Sequence, residues 1–163
     1  MGTNAAEIIA TSALLFTAYQ THLSRKHNRL SVKPHITTFT NRLLNNTGGV
    51  LTVSVLNNGL GPAFVTGFTV YLDNNPIDTK QPSEVEQRLS EVLGGPQFNF
   101  TTTYFGTDYA MRANEDKVLL HVHFPALANA DIEEVEKKLK RFDLVLSYKS
   151  AYGETFTYDS RKL

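Results

Sequence analysis

The chain has 163 residues, 16 basic and 16 acidic side chains, and no cysteine. Without a thiol it has no disulfide, no thiolate zinc site and no cysteine nucleophile, which fits a reducing compartment. The even charge balance supplies no long-range positive field, so nucleic acid is not an expected partner.

The N-terminal segment is the strongest signal. Ile8 to Tyr19 (IIATSALLFTAY) carries no charge, and His22, Arg25, Lys26, His27 and Arg29 follow at once. Apolar residues followed by basic ones predict a single-pass membrane helix with its C-terminal end at the cytoplasmic face. Ile8, Ile9, Leu14, Leu15, Phe16 and Tyr19 would be its lipid-facing residues, and Arg25, Lys26 and Arg29 its juxtamembrane basic residues. A span needs about 20 apolar residues. Ala5 to Leu23 supplies 19, with Glu7 near one end and Gln20 and His22 near the other. The hydroxyls of Thr11, Ser12 and Thr17 are expected to bond back to carbonyls one turn earlier. A cleaved signal peptide would want a basic leading region, and a helix lying flat on a bilayer would want a polar face; the segment has neither. A helix packed on the domain is a further alternative. The expected topology is N-terminus out and domain in, at the inner or plasma membrane, with the lipid bilayer as a partner.

Residues 1–29 thus form the anchor and 30–163 one domain with 13 basic and 15 acidic residues. Leu30 to Phe39 alternates and is β-branched, with Pro34 confining it to an edge or a bulge. A turn cluster, Asn45 to Gly49, precedes a strand over Val50 to Leu56, with Leu51, Val53 and Val55 on one face. Asn57 to Pro62 breaks the chain, and Ala63 to Leu72 is the next strand, with Phe64, Phe68 and Val70 as core candidates. Asp73 to Pro76 turns the chain. Ser83 to Glu86 has capping-box spacing and predicts a helix beginning at Ser83, with Val85, Leu89, Val92 and Leu93 as its apolar stripe, ending at Gly94-Gly95-Pro96. Strands follow at Phe98 to Phe105 and Val118 to Phe124. A helix over Asp131 to Arg141 carries Glu133–Lys137, Glu134–Lys138 and Glu136–Lys140 at favourable spacing, with Ile132, Val135 and Leu139 inward. Phe142 to Lys149 and Glu154 to Tyr158 form a final hairpin about Ala151-Tyr152-Gly153. About seven short strands and two short domain helices predict a mainly β fold, an immunoglobulin-like β-sandwich, with a small β-barrel as the alternative.

Asn58-Gly59-Leu60-Gly61-Pro62-Ala63 before a strand, together with the closing Tyr148-Lys149-Ser150-Ala151-Tyr152-Gly153-Glu154, resembles a pattern in small bacterial membrane-anchored proteins of unassigned function. The resemblance implies an N-terminal anchor leading through basic residues to a β-sandwich. It implies no activity.

Three motifs invite chemistry. The loop Asn58, Gly59, Gly61, Pro62 could offer backbone amides to an anion, but a phosphate loop wants a lysine and a following helix. The simpler expectation is positive φ at Gly59 and Gly61 and a stiff entry to the strand at Pro62. His121 and His123, two apart on a strand, share a face. They are read as solvated histidines, or alternatively as two metal ligands completed by His35, Asp108 or Glu115. Glu115 and Asp116 read as a polar turn, and Tyr104, Phe105, Tyr109 and Met111 as core packing rather than a partner surface. No catalytic residues and no cofactor are expected, since no nucleophile elbow or triad spacing is present. The functional expectation is a membrane-tethered, non-enzymatic interaction, scaffold or sensor module with a protein partner. The alternatives are a metal-binding enzyme or sensor built on His121 and His123, or a structural subunit of a larger assembly.

Overall fold

A 29-residue helix, α1 (Thr3–Ser31), opens the computed structural model, which describes residues 3–45, 48–79, 81–94, 98–106, 108–125 and 129–162. Ala5, Ala6, Ala10, Ala13 and Ala18 favour the helix, and Arg29 in its last turn complements the negative end of its dipole. Two of the three hydroxyls expected to bond back, Ser12 and Thr17, do so, and Thr21 joins them. Ser12, Thr17 and Thr21 each donate to the carbonyl four residues earlier at 2.8 Å. The expected span is corrected, however. No helix among the described residues is long and apolar enough to cross a membrane. Length is not what α1 lacks. Its stretch free of both charge and amide, Ile8 to Tyr19, covers only 12 residues and includes three serine and threonine hydroxyls, about 18 Å of rise against a hydrocarbon core of about 30 Å.

The strand expected from Leu30 is shifted as well. The helix runs on to Ser31, Pro34 lies in a linker, and β1 begins at Ile36. Proline disfavours helical backbone at the residue before it, so the helix must end short of Pro34. Two antiparallel sheets follow. The first has the order β1 (Ile36–Asn45), β2 (Gly48–Asn57), β7 (Asp116–Pro125), β5 (Asn99–Thr102). The second has the order β4 (Asn75–Ile77), β3 (Ala63–Leu72), β8 (Phe142–Lys149), β9 (Thr155–Asp159), with β6 (Ala110–Met111) also on β3. The two strands beyond the expected seven, β4 and β6, are three and two residues long, too short for a periodicity signal. Helices α2 (Pro82–Leu93) and α3 (Asn129–Leu139) and a 3₁₀ turn, Ser160–Lys162, complete the domain.

The sheets share one core. Ile36, Val55 and Leu119 from the first meet Ala63, Val65, Leu144, Leu146 and Tyr148 from the second, with Met111 among them. Phe105 and Tyr109 pack against this cluster, and Phe105 stacks edge-on to both Phe68 and Tyr109. A second cluster joins Leu51 and Val122 to Leu93 of α2 and Val135 of α3, so the helices close one end of the sheets.

Two bulges correct the face assignments. β3 slips between Val65 and Gly67 against β8. The extra residue reverses the parity of the strand. Phe68 and Val70 therefore pack inward as expected, whereas Phe64 is 40% exposed and Val65 is 3% exposed. In β7 the register slips at Leu119, so Leu119 and Leu120 both reach the interior beside Val122. The start of α2 also differs. Gln81 occupies the N-cap without a side-chain cap and Pro82 follows it. Proline suits the first helical turn, where its missing N–H is not needed. Ser83 is therefore inside the helix, and Glu86 accepts from Thr102 instead of closing a capping box. Of the expected pairs on α3, Glu134–Lys138 forms at 3.0 Å, while Glu136 binds Arg42 of β1 at 3.0 Å. Asn46, Thr47, Gly95 and Pro96, and the side chains of Phe124 and Ile132, lie outside the described residues.

Candidate functional site

Where α1 joins the domain, four residues, Val32 to His35, lie outside helix and strand, and Lys33 N–H bonds back to Leu30 O of α1 at 3.2 Å. Buried backbone groups must find partners somewhere. They find them on the loop after β2. Leu60 N–H donates to Lys33 O at 3.1 Å and Asn58 N–H donates to His35 O at 2.8 Å. Asn58 Nδ2 reaches Thr37 Oγ1 at 2.7 Å. Pro34 between them is fully buried.

Gly59 and Gly61 make this contact possible. A β-carbon on Gly59 would stand 2.3 Å from His35 N, and one on Gly61 would stand 1.9 Å from Val32 O. The expectation of positive φ is corrected: the described glycines with positive φ are Gly48, Gly94 and Gly153. Gly59 and Gly61 are needed for close backbone approach, not for left-handed geometry.

Asn57, fully buried, binds the loop together. Its Oδ1 accepts from His35 N and Gly59 N, both at 3.1 Å. Its Nδ2 donates to Gly61 O at 2.8 Å and Arg112 O at 3.0 Å. Its backbone bonds Glu115 O and Asn114 N. Sequence reasoning placed Asn57 in the loop but gave it no role. The available signal was a four-residue linker interrupted by Pro34, whose backbone groups need partners, and a short amide side chain close to two glycines.

The second quoted motif closes the other side. Tyr148 is buried, and a hydrogen bond ties its hydroxyl to the backbone of Ile36; burial nonetheless pushes its pKa up. Phe156 stacks on Tyr148 with 5.6 Å between ring centroids and carries Lys33 Nζ 5.3 Å over its own ring. Tyr152, at the hairpin tip, lies under the Arg29 guanidinium at 6.0 Å. The loop after β2 thus holds the linker itself and the final hairpin meets the chain on either side of it, at Arg29 and Ile36, with Phe156 under Lys33, forming a collar at the base of α1. A third group supports it. Glu115 accepts from the Tyr109 hydroxyl and from Arg112 N–H, which holds its carboxyl below the usual range and pushes Tyr109 up.

Beyond the collar α1 is bare. Ile8, Ile9, Leu14, Leu15, Phe16 and Tyr19 are each 60–70% exposed. Arg25 and Lys26 are exposed too, and Arg29 is the one of the three that touches the domain.

His121 and His123 share the outward face of β7, their rings stacked at 4.8 Å and 12° from parallel. They sit opposite Thr52 and Val50 of β2 and Thr101 and Asn99 of β5. Among the described residues no group of three metal-binding side chains forms. His35 lies at the collar and Glu115 is engaged there, so neither joins the pair. No protein-family model matches the chain, and no curated protein matches it.

Proposed function

We propose that the chain is a membrane-tethered, non-enzymatic interaction module: an immunoglobulin-like β-sandwich held to a bilayer by the apolar half of α1 and kept at a fixed attitude to it by the collar. The observation that carries this reading is the pairing of a bare apolar helix with a rigid joint at its base. A contiguous apolar surface left in water marks a site for lipid or protein. A joint built from buried backbone bonds and two glycines would serve no purpose on a helix that merely trails.

In this reading Ile8 to Tyr19 enters one leaflet, and Arg25, Lys26 and Arg29 meet anionic headgroups at the cytoplasmic side of an inner or plasma membrane. Each basic residue near such a surface contributes about 1 kcal/mol. The domain's loops and strand edges are then presented to a protein partner. The likeness to small bacterial anchored proteins supports the same layout.

Flotation of the full chain with lipid vesicles tests the reading. It should rise with vesicles containing phosphatidylglycerol and less with pure phosphatidylcholine. Leu15→Asp with Phe16→Asp should leave it at the bottom of the gradient. A wild-type chain that stays at the bottom with both vesicle types overturns the proposal.

A further inference from the structure

The edge strands are unequal. At the far edge of the first sheet β5 has four residues, and at the edges of the second β4, β6 and β9 have three, two and five. β1 has ten, and it pairs with β2 without a slip from Ile36–Asn57 to Asn45–Gly48. Natural edges are protected by shortness, bulges, proline or inward charge. β1 has no bulge and no proline, and its one charge, Arg42, is bound to Glu136. Residues 39–43 are exposed in an unbroken run, including Phe39 at 53% and Leu43 at 64%. No described strand pairs with the outer side of β1.

The free bonding groups can be assigned. Asn58 N–H donates to His35 O, so odd-numbered residues of β1 bond toward β2 and even-numbered ones, Thr38, Thr40, Arg42 and Leu44, direct N–H and C=O outward. A second copy can meet them in antiparallel register about a two-fold axis at Asn41. Phe39 then faces Leu43 of the second copy, and Leu43 faces its Phe39. These are non-hydrogen-bonded positions, where facing side chains come closest. Thr40 and Arg42 exchange backbone bonds. A two-fold axis at Arg42 would oppose two guanidinium groups, and one at Phe39 would leave both Leu43 side chains without an apolar partner. The sequence is self-complementary in the Asn41 register alone among these, as an isologous contact requires.

We infer that β1 is a homodimerisation edge, joining two copies through β1–β1 pairing centred on Asn41 into a continuous eight-stranded sheet. The inference stands whether or not α1 enters a bilayer.

The chain contains no cysteine, so a single introduced thiol reports the register. Facing residues at a non-hydrogen-bonded position lie about 4.5 Å apart at Cα, within the range a disulfide accepts. Full-length Asn41→Cys in neutral detergent micelles should oxidise to a covalent dimer, while Thr157→Cys, exposed on β9, should not. Phe39→Cys and Leu43→Cys should each stay monomeric alone and cross-link when mixed. Phe39→Lys with Leu43→Lys, which alters only exposed side chains, sets lysine opposite lysine and should weaken dimerisation, read by sedimentation, by about tenfold or more. Thr40→Pro removes an outward N–H and should abolish the Asn41→Cys cross-link. Equal cross-linking at Asn41 and Thr157 would overturn the inference, as would equal cross-linking of Phe39→Cys alone and in the mixture. A wild-type chain that sediments as a monomer at about 100 µM, far above the dissociation constant of a specific contact, would do so as well.

Discussion

The Asn57 side chain bonds the backbone at His35, Gly59, Gly61 and Arg112, and so ties three separate segments together. Asn57→Ala strands several buried donors and acceptors at once. At about 1–3 kcal/mol for each group left unpaired, the loss should exceed about 3 kcal/mol, read as a lower urea midpoint. The glycines separate two kinds of constraint. Gly61→Ala forces a β-carbon against Val32 O and should either destabilise by several kcal/mol (~3 or more) or release the linker to protease. Gly67→Ala places its β-carbon 3.7 Å from Ser147 Cβ, an ordinary contact. It should be neutral or stabilising by up to about 1 kcal/mol, because it restricts the unfolded chain. The run Asn57 to Pro62 was legible as a strand-breaking loop. What the two glycines face was not, since Val32 to His35 is remote in sequence and leaves no local trace.

Among the elements, those with a strong local period were legible. Leu51 and Val55 are fully buried, as the alternation in β2 requires, and the stripe of Val85, Leu89 and Leu93 is buried on α2. β3 shows where the period misleads: Phe64, Phe68 and Val70 fit one face by spacing, yet a single extra residue at the bulge turns Phe64 outward. Met111→Ala should therefore cost about 2–5 kcal/mol, and Phe64→Ser less than about 1 kcal/mol, by chemical denaturation. The bare N-cap of α2 gives a gain in the other direction. Gln81→Ser supplies an acceptor for the first-turn N–H groups and should raise stability by about 1 kcal/mol.

Taken together, the domain's carboxylates set its behaviour in acid. The Arg161 guanidinium beside Asp159 holds its carboxyl down at about 2, and hydrogen bonds from Arg141 and Tyr109 lower Asp73 and Glu115. A carboxyl lowered on folding contributes stability that is present above its unfolded value and lost as pH falls through its folded value. The urea midpoint should thus fall between the ordinary carboxylate range, about pH 4, and pH 2. Asp159→Asn should flatten that fall. Arg161 also lies 4.1 Å over the Tyr71 ring of β3, a contact that protonation of Asp159 leaves in place because the guanidinium stays charged.

By itself the sequence determined the β-rich class, the helical N-terminus with its apolar and basic halves, the final hairpin, and which strands alternate. These follow from side-chain periods of two and 3.6 residues and from charge order, all carried by neighbours along the chain. Tertiary structure alone decided that the loop after β2 and the final hairpin meet around the base of α1, that bulges reverse parity in β3 and β7, and that β1 is an open edge. Each of these depends on what a backbone meets across the fold, and no local pattern of residues encodes its partner.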